Sequence, residues 1–278
     1  MMPFSPKPRP NLQPRPAALL ERHKIMLGGL ELLPDLSGAL HVPELSTLII
    51  SDLHLEQGTS LARRGIRVPP FDTNITIGFL ENVVARFAPR RVIFLGDSFH
   101  DDDGETRVED TLMLRLQKIA EAHECYWICG NHDPSPPRNL AGHAADHILL
   151  GPLTLRHEPK QNLFTPASFP RKRESAFQLK RETEMPAFAG MTDEGKIMEY
   201  EIAGHLHPGC AVSQRGRRVS GKCFIADERR LIMPAFGAYT GALSVFAEPY
   251  QRLFKRDETT AWMIGQERLY KFPFERLC

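Results

Sequence analysis

Cys125-Tyr126-Trp127-Ile128-Cys129-Gly130-Asn131-His132-Asp133 is the stretch whose reading decides the fold. Its first five residues are a short apolar, aromatic run of the kind that forms a buried strand. A glycine turn follows and presents an amide oxygen and an imidazole. Open α/β sheets place ligands outside the carboxyl ends of their strands, so a core strand that stops at such groups suggests a site. Asn after Gly is by itself an ordinary turn former. The stretch gains weight because other apolar runs in the chain end in the same kinds of residue.

Toward the N-terminus, Arg91-Val92-Ile93-Phe94-Leu95 ends in Gly96-Asp97, and Leu48-Ile49-Ile50 ends in Ser51-Asp52-Leu53-His54. Between the three runs lie two stretches of helical apolar spacing, 75–87 and 108–123. Strand, helix, strand, helix, strand is the order of βαβ units on a shared sheet. Ahead of them, 29–33 and 39–42 flank a Pro-Asp-x-Ser-Gly turn and read as a hairpin. Beyond Pro134 the texture turns β-rich. Runs 148–150 and 153–155 flank Gly151-Pro152 and end in Arg156-His157. The run 199–203 leads into Gly204-His205-Leu206-His207, and short runs follow at 223–225, 231–233 and 243–246. A second sheet stacked on the first is expected.

The bulk numbers exclude little. The 278 residues suffice for one large α/β domain with a real core. A net charge of +1 points to neither nucleic acid nor membrane, so any steering must come from local patches. Five cysteines without paired Cys-x-x-Cys spacing argue against a disulfide framework or a thiolate zinc site. No apolar stretch approaches the ~20 residues of a membrane span. No signal-peptide core is evident, and a cytoplasmic protein is expected.

The strand-end residues are Asp52 and His54, Asp97, Asn131 and His132, His157, then His205 and His207. Such a mixed oxygen and nitrogen set suits Mn²⁺, Fe or Zn²⁺ better than Ca²⁺. There are too many ligands for one tetrahedral ion. Two ions ~3.5–4 Å apart would use them all, given one bridging carboxylate. Strand alternation would point Asp52 and His54 to one side, toward one ion. The glycine before His205 and Pro208 after His207 allow a turn, so those two imidazoles could serve different ions.

This pattern resembles the calcineurin-like metallophosphoesterase superfamily, whose blocks run Asp-x-His, Gly-Asp, Gly-Asn-His-Asp/Glu, a later His, and Gly-His-x-His. All are present in that order from Asp52 to His207. The resemblance implies a four-layer α/β/β/α sandwich of two stacked mixed sheets flanked by helices. It also implies two divalent ions, Mn²⁺ ahead of Fe or Zn²⁺. Asp52, His54 and His207 match the ligands of one metal, and Asn131, His157 and His205 those of the other. Asp97 matches the bridging carboxylate, and His132 the catalytic histidine that contacts the phosphate. Two ions would lower the pKa of a shared water toward ~7 and clamp the phosphate for in-line attack, with His132 as acid for the leaving oxygen.

Ser51-Asp52-Leu53-His54-Leu55-Glu56, Gly96-Asp97-Ser98-Phe99-His100-Asp101 and Ala203-Gly204-His205-Leu206-His207-Pro208 resemble one branch, the bacterial ligase-associated DNA-damage-response endonucleases. The stretch 64–73 does so too. That resemblance implies a DNA phosphodiesterase working alongside a DNA ligase and a helicase. Alternatives on the same site are a phosphomonoesterase or a nucleotide hydrolase. A non-catalytic scaffold on the same fold should have lost ligands or the catalytic histidine, and here both are present.

Arg63, Arg64 and Arg67 follow the first block, and Arg215, Arg217 and Arg218 follow the last. Both clusters are expected on loops at the mouth of the site, where they could hold a phosphate backbone. The run Asp101-Asp102-Asp103 is expected to cap the helix after it. His143 and His147 have helical i, i+4 spacing, and a structural role is expected for them. His100 could orient a ligand from behind. The expected organisation is a Pro/Arg-rich tail at 1–24, one domain at 25–250, and a C-terminal extension at 251–278 packed on it. Residues 159–196 depart from the family. The runs 169–175 and 185–192 resemble translated palindromic repeats, so a tolerated, disordered insertion is expected there, with a basic flap as the alternative.

Overall fold

The computed structural model describes residues 23–161, the backbone of 176–179, and 199–278. The expected tail at 1–24 and most of the expected insertion lie outside the described residues.

The first sheet has seven strands whose spatial order is their chain order. They are β1 (Ile25–Leu27), β2 (Leu30–Pro34), β3 (Leu40–Val42), β4 (Thr47–Ile50), β5 (Arg91–Leu95), β6 (Glu124–Ile128) and β7 (His143–Ala145). The first four form an antiparallel meander. From β4 to β7 every pair is parallel. Helices α1 (Gln57–Arg63), α2 (Asp72–Phe87), α3 (Gly104–Arg107) and α4 (Asp110–Ala122) lie in the crossovers.

Alternation explains why the parallel strands read as unbroken apolar runs. Ile49, Ile93, Leu95, Tyr126 and Ile128 point into the core between the sheets. Their neighbours Leu48, Ile50, Val92, Phe94, Cys125 and Trp127 point the other way, onto Ile77, Leu80 and Val83 of α2 and Leu116 and Ile119 of α4. The helical spacing at 75–87 and 108–123 is the apolar stripe these two helices bury there.

Asp146 alone separates β7 from β8 (His147–Leu150), where the chain passes to the second sheet. That sheet continues with β9 (Leu153–Arg156), β10 (Ala176–Leu179), β11 (Tyr200–Ala203), β12 (Pro208–Gln214), β13 (Arg217–Ala226), β14 (Arg230–Ile232) and β15 (Leu243–Ser244). Its order is β10-β8-β9-β11-β14-β13-β12-β15. Strands β9, β11 and β14 run parallel within it. Residues 251–278 are part of this sheet, because β16 (Thr260–Ile264) pairs with β13 and β17 (Leu269–Pro273) pairs with β16. The outer face is covered by the six-residue α5 (Glu248–Leu253) and by Phe254, Phe274 and Leu277. The architecture is therefore helices, sheet, sheet and a thin outer layer, with two mixed sheets as expected.

His143 and His147 sit on strands of different sheets, so the helical spacing between them has no meaning. The acidic run does not cap either. Asp103, the residue before α3, makes no capping hydrogen bond, and Asp101 instead takes a two-pronged bond from Arg107 at 2.7 and 2.8 Å.

The connection that carries residues 162–198 leaves and returns through a closed neck. Lys160 Nζ lies 3.0 Å from Glu199. The Lys160 N–H donates to Glu201 at 3.0 Å, and Arg230 donates to the Lys160 carbonyl. Glu201 is fully buried between Arg156 at 3.0 Å and Arg230 at 2.5 Å. Replacing 162–197 with a Gly/Ser linker about one sixth as long should leave a folded protein. Loop closure becomes cheaper by roughly 1.6 kcal/mol, which offsets the loss of the β10 edge strand. A thermal melt checks this: the expected Tm lies within a few degrees of the parent, and a non-cooperative melt contradicts it.

Candidate metal centre

Five of the parallel strands contribute to the site. Asp52 and His54 follow β4, Asp97 follows β5, Asn131 and His132 follow β6, His157 follows β9, and His205 and His207 follow β11. Both sheets thus bring their carboxyl ends to one cleft.

The side chains fall into two groups. In one, Asp52 Oδ1 lies 3.2 Å from His207 Nε2, which lies 3.3 Å from His54 Nε2. In the other, His157 Nε2 lies 2.9 Å from Asn131 Oδ1 and 3.2 Å from His205 Nδ1. Asp97 Oδ2 stands between them, 3.6 Å from His54 Nε2 and 3.4 Å from His157 Nε2. Asp52, His54 and His207 could together hold one ion, and Asp97, His157 and His205 another. Two ligands each ~2.1 Å from an ion and 90–110° apart are themselves about 3.0–3.4 Å apart. Four of the six separations fall in that range and the other two, 2.9 and 3.6 Å, lie just outside it, so the residues fit two cations sharing Asp97.

The backbone achieves this in a way strand alternation does not. Asp52 (φ 54°) and His54 (φ 44°) lie beyond the end of β4 in the left-handed region, as do Asp97 (φ 47°), His205 (φ 67°) and His207 (φ 47°). Asp and His tolerate that region better than most residues. It is these reversals, not a pleat, that turn Asp52 and His54 toward one point, which corrects the alternation argument. At His205 the Leu206 N–H closes back on the Gly204 carbonyl at 2.7 Å. This three-residue turn sends His205 to the Asp97 group and His207 to the Asp52 group.

Close packing explains two motif glycines. A Cβ at Gly130 would overlap the Asp97 carboxylate, and one at Gly204 would overlap Ser51 Oγ. Ser51, whose hydroxyl donates to Asp52, is a contributor that the sequence reading gave no role. Asp133 supports the turn from beneath, with Oδ2 accepting from the Phe99 N–H at 3.0 Å and Oδ1 from the Gly130 N–H at 3.2 Å.

Electrostatics follow the grouping. Burial would raise Asp52, but the hydrogen bond and charge of His207, with His157 and His54, hold it far below the usual carboxylate range. Burial lowers His54 to about 3, against the pull of Asp52 and Asp97. Burial would also lower His157. The hydrogen bond to Asp97, the charges of Asp52 and Asp97 and the Leu95 carbonyl outweigh it and raise that imidazole to about 9. His157 Nδ1 donates to Leu95 O at 2.8 Å, which leaves Nε2 facing the cleft. Burial lifts Asp133 to about 7, with the Asp97 charge adding to it.

His132 is exposed at the cleft mouth. Its N–H donates to Asp97 Oδ1 at 2.9 Å, and its Nδ1 donates to the His100 carbonyl at 2.9 Å. The His100 ring stacks on it with centroids 5.2 Å apart, and His100 Nδ1 lies 3.4 Å from His54 Nδ1. His100 therefore lies beside the candidate ligand His54, as expected, and also against His132, a contact that was not expected. Arg63, Arg64 and Arg67 are exposed around the end of α1. Arg64 is close enough for its charge to help lower His100. Arg215, Arg217 and Arg218 lie elsewhere. They sit at the tip of the β12–β13 hairpin, separated from His207 by the whole of β12, roughly 20 Å of strand. Their expected place at the mouth of the site is corrected accordingly.

With the geometry in view, the chain belongs to the calcineurin-like phosphoesterase family, whose profile matches residues 45–187, just over half of it. That match includes the candidate residues from Asp52 to His157 and stops short of His205 and His207. The crystal structure of the Pseudomonas putida nuclease MPE superposes with a TM-score of 0.58 at 20% identity, over 90% of this chain and 99% of that one, a likeness of fold. Yfce, a phosphoesterase from E. coli, aligns with a TM-score of 0.33 at 15% identity, over 82% of this chain and 98% of that one, too low to bear on the site. No curated protein matches the chain at a significant level. Among the described residues no helix is long and apolar enough to cross a membrane.

The raised His157 gives a direct test. In the metal-free protein it keeps a second proton, on the Nε2 that faces Asn131 and His205, until about pH 9. A cation bound there must displace that proton, so apparent affinity should climb with pH up to about 9 and binding below it should release a proton. Calorimetric Mn²⁺ titrations in buffers of differing ionisation enthalpy check this. An affinity that stayed flat from pH 6.5 to 9 would contradict it.

Proposed function

We propose that the chain is a dinuclear metal-dependent phosphodiesterase, and that it acts on DNA as an endonuclease of the ligase-associated branch. The observation that carries the reading is the pair of ligand sets that meet at Asp97. Asp52, His54 and His207 would hold one cation, Asn131, His157 and His205 the second, with Asp97 within reach of both groups. When bound, two divalent cations supply Lewis-acid charge for the phosphate and activation of water.

The chain's own residues do the rest. A carbonyl can only accept, so the bond to His100 O fixes the proton on His132 Nδ1 and turns Nε2 to the open cleft. From there Nε2 can pass a proton to the leaving oxygen. The Asp97 bond to the His132 N–H sets that imidazole against the two ligand groups. Arg63, Arg64 and Arg67 offer positive charge for flanking phosphates of a polymeric substrate. DNA as that polymer is supported by the sequence blocks shared with the ligase-associated branch and by the fold likeness to a nuclease.

The test uses metal-stripped protein with added Mn²⁺ on an aryl diester, the matching monoester, and nicked and single-stranded DNA. Diester and DNA cleavage with a much slower monoester is expected. A monoester turned over far faster, with DNA intact, removes the nuclease reading. Asp97→Asn should cost at least about 100-fold on every substrate, since both ligand sets lose a shared partner. His132→Ala should cost ~10²–10⁴-fold on DNA, whose alkoxide leaving group needs a proton. The same change should cost much less on a nitrophenyl diester, whose leaving group does not. Equal losses on both would remove His132 as the acid.

A further inference from the structure

The turn that divides His205 from His207 is held from outside by a stretch of chain far along the sequence. Leu243 N–H donates to the His207 carbonyl at 2.8 Å, and Val245 N–H donates to the Gly209 carbonyl at 3.0 Å. One residue before the first of these anchors, the Leu206 carbonyl accepts from the Tyr250 hydroxyl at 2.8 Å. Three carbonyls around the histidine turn, at 206, 207 and 209, are thus taken by one segment, 243–250. This segment lies outside the family match and carries none of its motif blocks.

Tyr250 is the only side chain among the three contacts. It is 1% exposed, at the start of α5, and packs with Cys210, Cys223, Ile225 and Phe254 on the outer face of the second sheet. Burial pushes its phenol up, so the hydroxyl remains a donor across any assay range. The peptide it grips belongs to the strained part of the turn. His205 at φ 67° is the centre of the three-residue closure, a left-handed γ-type geometry that is rare and costly. His207 at φ 47° follows directly. The Leu206 peptide between them can relax only by rotating, and rotation would swing one imidazole toward the other's group. The Leu206 carbonyl cannot rotate without breaking the bond to a buried hydroxyl that would then be left without a partner.

We infer that Tyr250 is a positioning residue for the metal centre: its hydroxyl locks the Leu206 peptide and so holds His205 and His207 apart, one for each cation. The inference rests on the two-metal reading, but its test reads metal binding directly, independent of substrate.

Tyr250→Phe removes one oxygen and keeps the ring. The metal-free variant should melt within a few degrees of the parent. Its calorimetric affinity for Mn²⁺ should fall about tenfold, within the range for a group that orients ligands without touching the ion. In the electron paramagnetic resonance spectrum the parent should show an exchange-coupled Mn²⁺ pair, and the variant a larger share of isolated Mn²⁺. On an aryl diester kcat should fall about as far as affinity, with KM within twofold. Tyr250→Leu, which also removes the ring, should add a large loss of Tm. A phenylalanine variant with parental Mn²⁺ affinity, pair signal and kcat would overturn the inference, whatever the leucine variant does. So would one that only melts lower. A parent that bound no Mn²⁺ would overturn the two-metal reading beneath it.

Discussion

The structure depends on one carboxylate placed where two sheets meet. Asp97 follows a strand of the first sheet, yet its Oδ2 stands 3.4 Å from His157, which follows a strand of the second. Its other oxygen holds the His132 backbone. Gly130 has no Cβ because that carboxylate fills the space. Asp52 adds a second buried acid within reach of His157, at 3.9 Å. Two buried acids cannot stay ionised without opposite charge nearby. In the metal-free protein that charge comes from His157, the imidazole that the two acids raise. The same demand is what makes the cleft suited to cations.

Much of this was legible in the sequence, for physical reasons that can be named. Strands β4, β5 and β6 are buried on both faces, so their apolar runs are unbroken and easily found. Each ends in a turn that displays a candidate ligand, so the ends mark the candidate site. The division of His205 and His207 between two groups also followed from the glycine and proline around them. The route by which Asp52 and His54 converge did not, because left-handed backbone at a non-glycine residue leaves no sequence pattern. Strands β16 and β17 were missed although Thr260-Ala261-Trp262-Met263-Ile264 is a clear apolar run; the chain after 250 looked like an appendage. Arg215, Arg217 and Arg218 were misplaced because closeness in sequence to His207 was taken for closeness in space, and β12 intervenes. Tyr250 had no signal at all. Its role depends on a contact 44 residues away in sequence.

The connection between His157 and β11 is held at both of its ends. His157 is anchored by its bond to Leu95 before the chain departs, and the Lys160–Glu199 pair closes the gap after it. Glu201, Arg156 and Arg230 then fix the base of β11 within the sheet. The candidate ligands on either side of that connection are thereby each anchored by contacts within the two sheets.

The five left-handed residues of the cleft carry a further consequence. At about 1 kcal/mol each, they set roughly 5 kcal/mol of backbone strain against a total stability of ~5–15 kcal/mol typical of a domain. That strain sits at the seam between the sheets, not within either. The two sheets share a large buried apolar core, so relief of that strain without cations would stay local, in the turns at the strand ends rather than between the sheets. Cations held by these residues would then offset the strain of the turns that present them, so ion binding and the ordering of those turns would be coupled.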